Sequence, residues 1–139
     1  MWSTEHTAET TLSRDAVWAA LRDLHTGDLT YEGADAFELD GPFAVGTGLT
    51  ITPAGQDPFR STIVDLVETE TYADRTEFGD IVLTFRHTLV DTPTGTRVTH
   101  RLDITGPGAD DVGPELGPQI SDDFPESMAA LFEQAARRA

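Results

Sequence analysis

The chain has 139 residues, enough for one domain with a substantial core, and its 25 acidic against 9 basic residues give a formal charge of −16. Such a field repels phosphate backbones and anionic membrane surfaces, and no run approaches the roughly 20 apolar residues of a membrane helix. Cysteine and lysine are both absent, so disulfides, thiolate metal sites and lysine Schiff bases are excluded.

The N-terminal residues Met1 to Glu5 carry neither a basic region nor an apolar run, so they do not read as a signal peptide and a cytoplasmic protein is expected. The first strand is expected over Thr4–Leu12, with His6, Ala8, Thr10 and Leu12 on one face. Ser13 then suits a helix N-cap, and Val17, Ala20, Leu21 and Leu24 repeat at helical spacing as one buried stripe. Gly27 falls in the turn ending this helix, and His25 beside it reads as a capping or surface residue.

Strands follow. Leu29–Leu39, Gly46–Thr52, Arg60–Glu68, Thr71–Phe78, Ile81–Val90 and Thr96–Ile104 alternate or are rich in β-formers, separated by short Gly- and Pro-containing breaks. Such short gaps imply an antiparallel meander. The stretch from Gly106 to Pro118 is rich in glycine and proline and reads as an irregular approach. Beyond it Ile120, Phe124, Met128, Leu131 and Ala135 mark one long amphipathic helix, with a kink expected at Pro125. Arg137 and Arg138 sit at the negative end of its dipole.

A sheet with one apolar face must be covered, and the terminal helix is the available cover. The expected fold is therefore α+β: a curved antiparallel sheet of about seven strands, in the order β-α-β6-α, wrapped around a long kinked helix in a single domain spanning 1–139. This order resembles the START/polyketide cyclase superfamily (SRPBCC), with its helix-grip fold. The resemblance rests on the Ser13–Leu21 segment with its Val17-Trp18 pair, the Gly41-Pro42-Phe43…Gly46 turn and the Phe85-Arg86-His87…Gly95–His100 hairpin. It implies a cavity under the C-terminal helix for lipids, hormones or polyketides, in a family of which only some members are enzymes. The inward Ala8 and Thr10 depart from the family's usual apolar first strand and would widen or wet the cavity.

Two histidines are the sharpest chemical signal. His87 shares a face with Ile81, Leu83, Phe85 and Leu89, and His100 with Val98, Leu102 and Ile104, so both point inward. A turn centred on Pro93-Thr94 sets His87 opposite His100, with Cβ atoms about 4.5–5.5 Å apart. Two imidazoles in an apolar cavity suit acid–base work on a polyketide-like chain; the plainer reading is that they line a binding pocket and hydrogen-bond each other, water or a ligand carbonyl. His6 also faces inward, and the resemblance pairs its strand with the last one. Three inward histidines would suit zinc with an open fourth position, but no His-x-x-x-His spacing supports this, and neither a metal nor an organic cofactor is expected.

Tyr31 and His6 are weaker polar candidates, and Leu49, Ile51, Leu83, Phe85, Leu102, Phe124 and Met128 are expected to line the cavity or the adjoining core. Trp2 and Trp18 read as packing residues, and Arg60, Arg86, Arg97 and Arg101 as partners of acids on the outer sheet face. The leading expectation is a binder of a small, largely hydrophobic molecule, acting as a monomer or homodimer. The alternatives are a cofactor-free cyclase or dehydratase using His87 and His100, and a partner-binding module with a filled core.

Overall fold

The computed structural model describes residues 1–138. Strands β1 (Trp2–Thr10), β2 (Ala36–Leu39), β3 (Gly48–Thr52), β4 (Phe59–Val67), β5 (Thr71–Phe78), β6 (Ile81–Thr92) and β7 (Gly95–Thr105) form one antiparallel sheet in the order β1-β7-β6-β5-β4-β3-β2. Each neighbour from β2 to β7 follows its predecessor through a short turn, as the spacing of the strands predicts. A bulge between Ile63 and Asp65 restores alternation, so that Ile63 and Leu66 both stay on the concave side.

Helix α1 (Arg14–Thr26) begins where Ser13, in extended conformation, accepts a hydrogen bond from the Ala16 amide at 3.1 Å. It ends at Gly27, whose φ of 87° lies in the left-handed region and whose amide donates to the Leu24 carbonyl. The next segment departs from expectation. Only Ala36–Leu39 of the predicted Leu29–Leu39 strand is extended; before it, Ala34 N–H donates to the Tyr31 carbonyl and Gly33 takes a positive φ, making a turn.

The C-terminal part is more helical than its composition suggests. Helix α2 (Ala109–Ser121) occupies the stretch expected to be irregular, and helix α3 (Phe124–Arg138) continues it after a two-residue break, giving 30 residues bent by 37°. The reason lies in spacing. Gly113 and Gly117 are buried one turn apart, and Pro114 and Pro118 are exposed one turn apart. The prolines leave carbonyls unbonded on the solvent side, where water reaches them. The glycines face Trp2: a Cβ on Gly113 would stand 2.5 Å from Trp2 Cβ, and one on Gly117 would overlap the indole ring. Pro125 sits in the first turn of α3, where its missing amide has no helical partner to lose, so the bend falls at Asp122–Asp123.

Two apolar clusters fill the space between sheet and helices. One gathers Val17, Trp18, Leu21, Leu49, Ile51, Ile63, Tyr72, Met128 and Leu131 around α1 and α3. The other gathers Ile81, Leu83, Leu102, Ile104 and Phe124 under α2. Arg138 closes the first by pairing with Asp23 of α1 and reaching the Ala19 carbonyl. Among the described residues no helix is long and apolar enough to cross a membrane.

Candidate functional site

The β6–β7 hairpin turns at Pro93-Thr94 with Thr92 opposite Gly95, which places His87 opposite His100 and Phe85 opposite Leu102. On one side the register continues from His100 to His6 of β1, and on the other from His87 to Tyr72 of β5. One row of the sheet therefore carries His6, His100, His87 and Tyr72 side by side.

The rings of His87 and His100 stack, with centroids 3.9 Å apart and planes inclined by 23°. Phe124, the first residue of α3, stacks on His100 at 3.9 Å and 18°. His100 is thus held between a sheet ring and a helix ring. Stacked imidazoles present faces to each other, so their in-plane lone pairs run side by side instead of meeting in the hydrogen bond expected as one use of the pair. His87 Nδ1 is sealed from solvent with no hydrogen-bond partner among the described residues. Burial lowers the pKa of His87 well below the ordinary imidazole value, reinforced by His100 and His25. Burial likewise lowers His100 to about 3, with His25 and His6 adding to it. Both rings are neutral near pH 7.

A third imidazole joins them. His25, expected as a capping or surface residue, bonds a last-turn carbonyl of α1 but is only 4% exposed. Its ring lies 4.2 Å from that of Tyr72, 4.5 Å from Phe37 and 5.5 Å edge-on from His87. The signal was in the spacing: Val17, Leu21 and His25 are successive i, i+4 positions on the buried face, whereas Leu24 is only half-buried. Burial lowers its pKa to about 4, partly offset by a hydrogen bond to the Leu21 carbonyl. That bond, Nδ1 to Leu21 O at 2.8 Å, fixes the tautomer. A carbonyl only accepts, so Nδ1 carries the proton and Nε2 is left with a lone pair.

These rings line a partly open pocket of about 100 Å³ between α1, α3 and the 29–35 turn. Its walls are Leu21, Leu24, Phe37, Met128 and Leu131, with His25, His87, His100, Tyr31, Asp35 and Ser127 as polar groups. Of the residues expected at a ligand site, Tyr31, Met128, His87 and His100 meet here, Tyr31 from a turn and not from a strand. Leu49 and Ile51 lie in the larger core cluster; Leu83, Leu102 and Phe124 belong to the other cluster, with Phe85 packed against it. His6 is half-buried at the end of the histidine row. Among the described residues, no three of His, Cys, Asp and Glu converge as metal ligands.

The pocket mouth is acidic. Asp35 is exposed at the rim, and its pKa is raised by partial desolvation and then by the Asp123 carboxylate. Tyr31 is raised by burial and by Asp35. Asp123 is itself raised by desolvation, with Glu126 and Asp122 adding to it.

Behind the pocket wall lies a second polar group that sequence reasoning missed. Asp74 is 3% exposed on the concave face of β5 and accepts the Tyr72 hydroxyl at 2.8 Å. Its Oδ1, with Ser61 Oγ and Thr76 Oγ1, is buried and has no hydrogen-bond partner among the described residues. Desolvation raises Asp74 to about 6, opposed by the nearby Tyr72 and Ser61 hydroxyls. Alternation along Thr71–Phe78 puts Tyr72, Asp74 and Thr76 on one face, a signal present in the strand pattern. The outer face carries the expected ion pairs, including Arg86–Asp65 at 2.6 Å and Arg101–Asp103 at 3.0 Å.

No protein-family model matches the sequence, and no curated protein matches it. Solved structures do. A Mesorhizobium loti protein superposes with a TM-score of 0.71 at 19% identity, covering 99% of this chain and 98% of that one. The Zhui aromatase/cyclase of a Streptomyces species gives 0.71 at 17% identity over 98% and 94%. A norcoclaurine synthase point mutant of Thalictrum flavum, solved with a transition-state analogue, gives 0.65 at 17% over 98% and 94%. At these identities the likeness shows the fold: a helix-grip domain, of the architecture that the START/polyketide cyclase resemblance implied.

Proposed function

We propose that the protein binds a small, largely apolar molecule in the pocket between α1, the 29–35 turn and α3, with His87 and His100 as its polar floor. The observation that carries this reading is the neutral imidazole stack set among Leu21, Leu24, Phe37, Met128 and Leu131 at the base of an opening. The volume of about 100 Å³ is below the roughly 150 Å³ that holds a benzene ring. A lipid- or polyketide-like ligand would therefore seat one chain end, or one edge of a ring, here and pass out between Tyr31 and Asp35.

The same reading places the protein in the cytoplasm as a monomer or homodimer, with no nucleic-acid partner; the charge of −16 supports the last point. A cyclase or dehydratase using His87 and His100 is the second reading, supported by the fold shared with an aromatase/cyclase. Stacking weighs against it, because a proton relay between the two rings needs in-plane contact.

The test is native mass spectrometry of freshly purified protein against its denatured mass, followed by titration with the neutral dye N-phenyl-1-naphthylamine. Bound organic mass or saturable dye fluorescence, weakened by His87→Gln or His100→Gln, is expected. A protein that carries nothing, takes no dye and shows no change in the imidazole resonances has a filled core, and the reading fails.

A further inference from the structure

The sheet histidines form the pocket floor, but their facing ring surfaces are taken up in the stack and His87 Nδ1 is sealed off. His25 differs. It comes from α1, is 4% exposed, lines the pocket, and has one nitrogen committed to the Leu21 carbonyl at 2.8 Å. The other nitrogen can only accept. Packing against Tyr72 and Phe37, at 4.2 and 4.5 Å, holds the ring in that orientation. At the mouth, Asp35, with Asp123 nearby, adds a field hostile to anions.

We infer that His25 Nε2 is the hydrogen-bond acceptor of the pocket, and that the pocket takes a neutral hydroxyl-bearing ring, a phenol or cyclic alcohol, in preference to donor-free or anionic rings of the same size. The inference rests on the pocket reading above and deepens it by naming the ligand chemistry. A single donor group serves His25 while Leu21, Leu24, Phe37, Met128 and Leu131 supply apolar contact, and the volume of about 100 Å³ admits the hydroxyl-bearing edge of a ring with the remainder at the opening. An anion entering past Asp35 would lose its hydration, meet a carboxylate at the mouth and find no cationic side chain among the lining residues. A site built to receive a hydroxyl discriminates against the analogue lacking one, because its own polar group is then left unpaired.

The experiment compares phenol, toluene and benzoate by NMR titration of wild type, His25→Leu and Asp35→Asn. The phenol-to-toluene affinity ratio is expected to fall about tenfold in His25→Leu, the loss of one hydrogen bond, and to stay unchanged in Asp35→Asn. Benzoate is expected not to bind wild type. In wild type, the His25 Nε2 resonance should move with phenol and not with toluene, a readout that survives if His25→Leu folds poorly. If both rings bind but the ratio ignores His25, or Nε2 stays still, the acceptor assignment falls and the pocket stands. A ratio that collapses only in Asp35→Asn transfers the role to the mouth, and benzoate binding as well as phenol overturns the ligand class. If neither phenol nor toluene binds, the pocket reading falls and takes this inference with it.

Discussion

Replacing Asp74 by asparagine should stabilise the protein at neutral pH. The carboxyl is buried with one oxygen unpartnered, and desolvation lifts its pKa from 3.8 to about 6. A folded pKa above the unfolded value means that the folded chain takes up the proton first. This group favours the fold least above about pH 6, and its penalty vanishes below about pH 4. A shift of about two units at 1.36 kcal/mol each sets an upper limit of about 3 kcal/mol at pH 7.5. Asparagine keeps an acceptor for the Tyr72 hydroxyl, now 2.8 Å away, and offers an amide to the unpartnered Ser61 and Thr76 oxygens. We expect Asp74→Asn to be more stable by about 1–3 kcal/mol in urea unfolding at pH 7.5. The advantage should shrink by about 2 kcal/mol at pH 4.5, where folded Asp74 is already protonated. An asparagine variant no more stable at pH 7.5, or an advantage that ignores pH, refutes the claim that a buried carboxylate strains this sheet.

The pocket histidines act in the opposite direction. His25, His87 and His100 have pKa values depressed by burial, so the stability they confer is present above about pH 6.5 and is lost as pH falls toward the folded values, about 4 for His25. Proton uptake on unfolding near pH 5 should drop by about one in His25→Gln, read from unfolding free energies across pH. Gly117→Ala should cost about 1–3 kcal/mol, because the new methyl overlaps the Trp2 ring; thermal unfolding of this variant and of its pairing with Trp2→Ala, which should recover part of the loss, checks the cause. Thr69, at the β4–β5 turn, is the one non-glycine residue with positive φ (63°) among those described. Thr69→Asn should raise stability by about 0.5–1 kcal/mol, and a lower melting temperature would contradict the strain.

The sequence was informative where two periodicities met a strong turn. The Pro93-Thr94 turn and the alternating apolar residues on either side favour the observed register over a one-residue shift at Gly95, and the opposed histidines follow from it. It was misleading where composition outweighed spacing. Gly113, Pro114, Gly117 and Pro118 are loop formers by type, yet each pair is separated by one helical turn, and a ring sits where two side chains are missing. Leu49, Ile51 and Leu102 show the limit of pattern alone. Alternation tells which face a side chain takes, but whether that face is filled or hollow depends on helix placement, which no strand pattern contains. His25 lies one residue beyond Leu24, the last member of the expected stripe, and Tyr31 needs the turn at Gly33 to reach the pocket.

The concave face is built in rows, and the rows explain where the pocket lies. Ala8, Val98 and Leu89 form one apolar row and Trp2, Ile104 and Leu83 another, with Thr4, Leu102, Phe85, Asp74 and Ile63 beside it. Between them run His6, His100, His87 and Tyr72. An apolar row is covered by pressing a helix onto it; a row of imidazoles is covered well only by flat aromatic contact or by a polar partner. The chain uses both. Phe124 stacks on His100 where α3 begins, and His25 meets His87 and Tyr72 where α1 ends. Neither helix end lies flush across the whole row, and the gap left between them is the pocket. A test follows from this geometry: in Phe124→Leu, flat contact with His100 is lost while apolar volume is largely kept. The fold should survive with a loss of about 1–2 kcal/mol, and naphthylamine dye uptake should rise as the His100 ring becomes reachable. Unchanged dye uptake in a folded Phe124→Leu variant would mean that the pocket owes nothing to this stack.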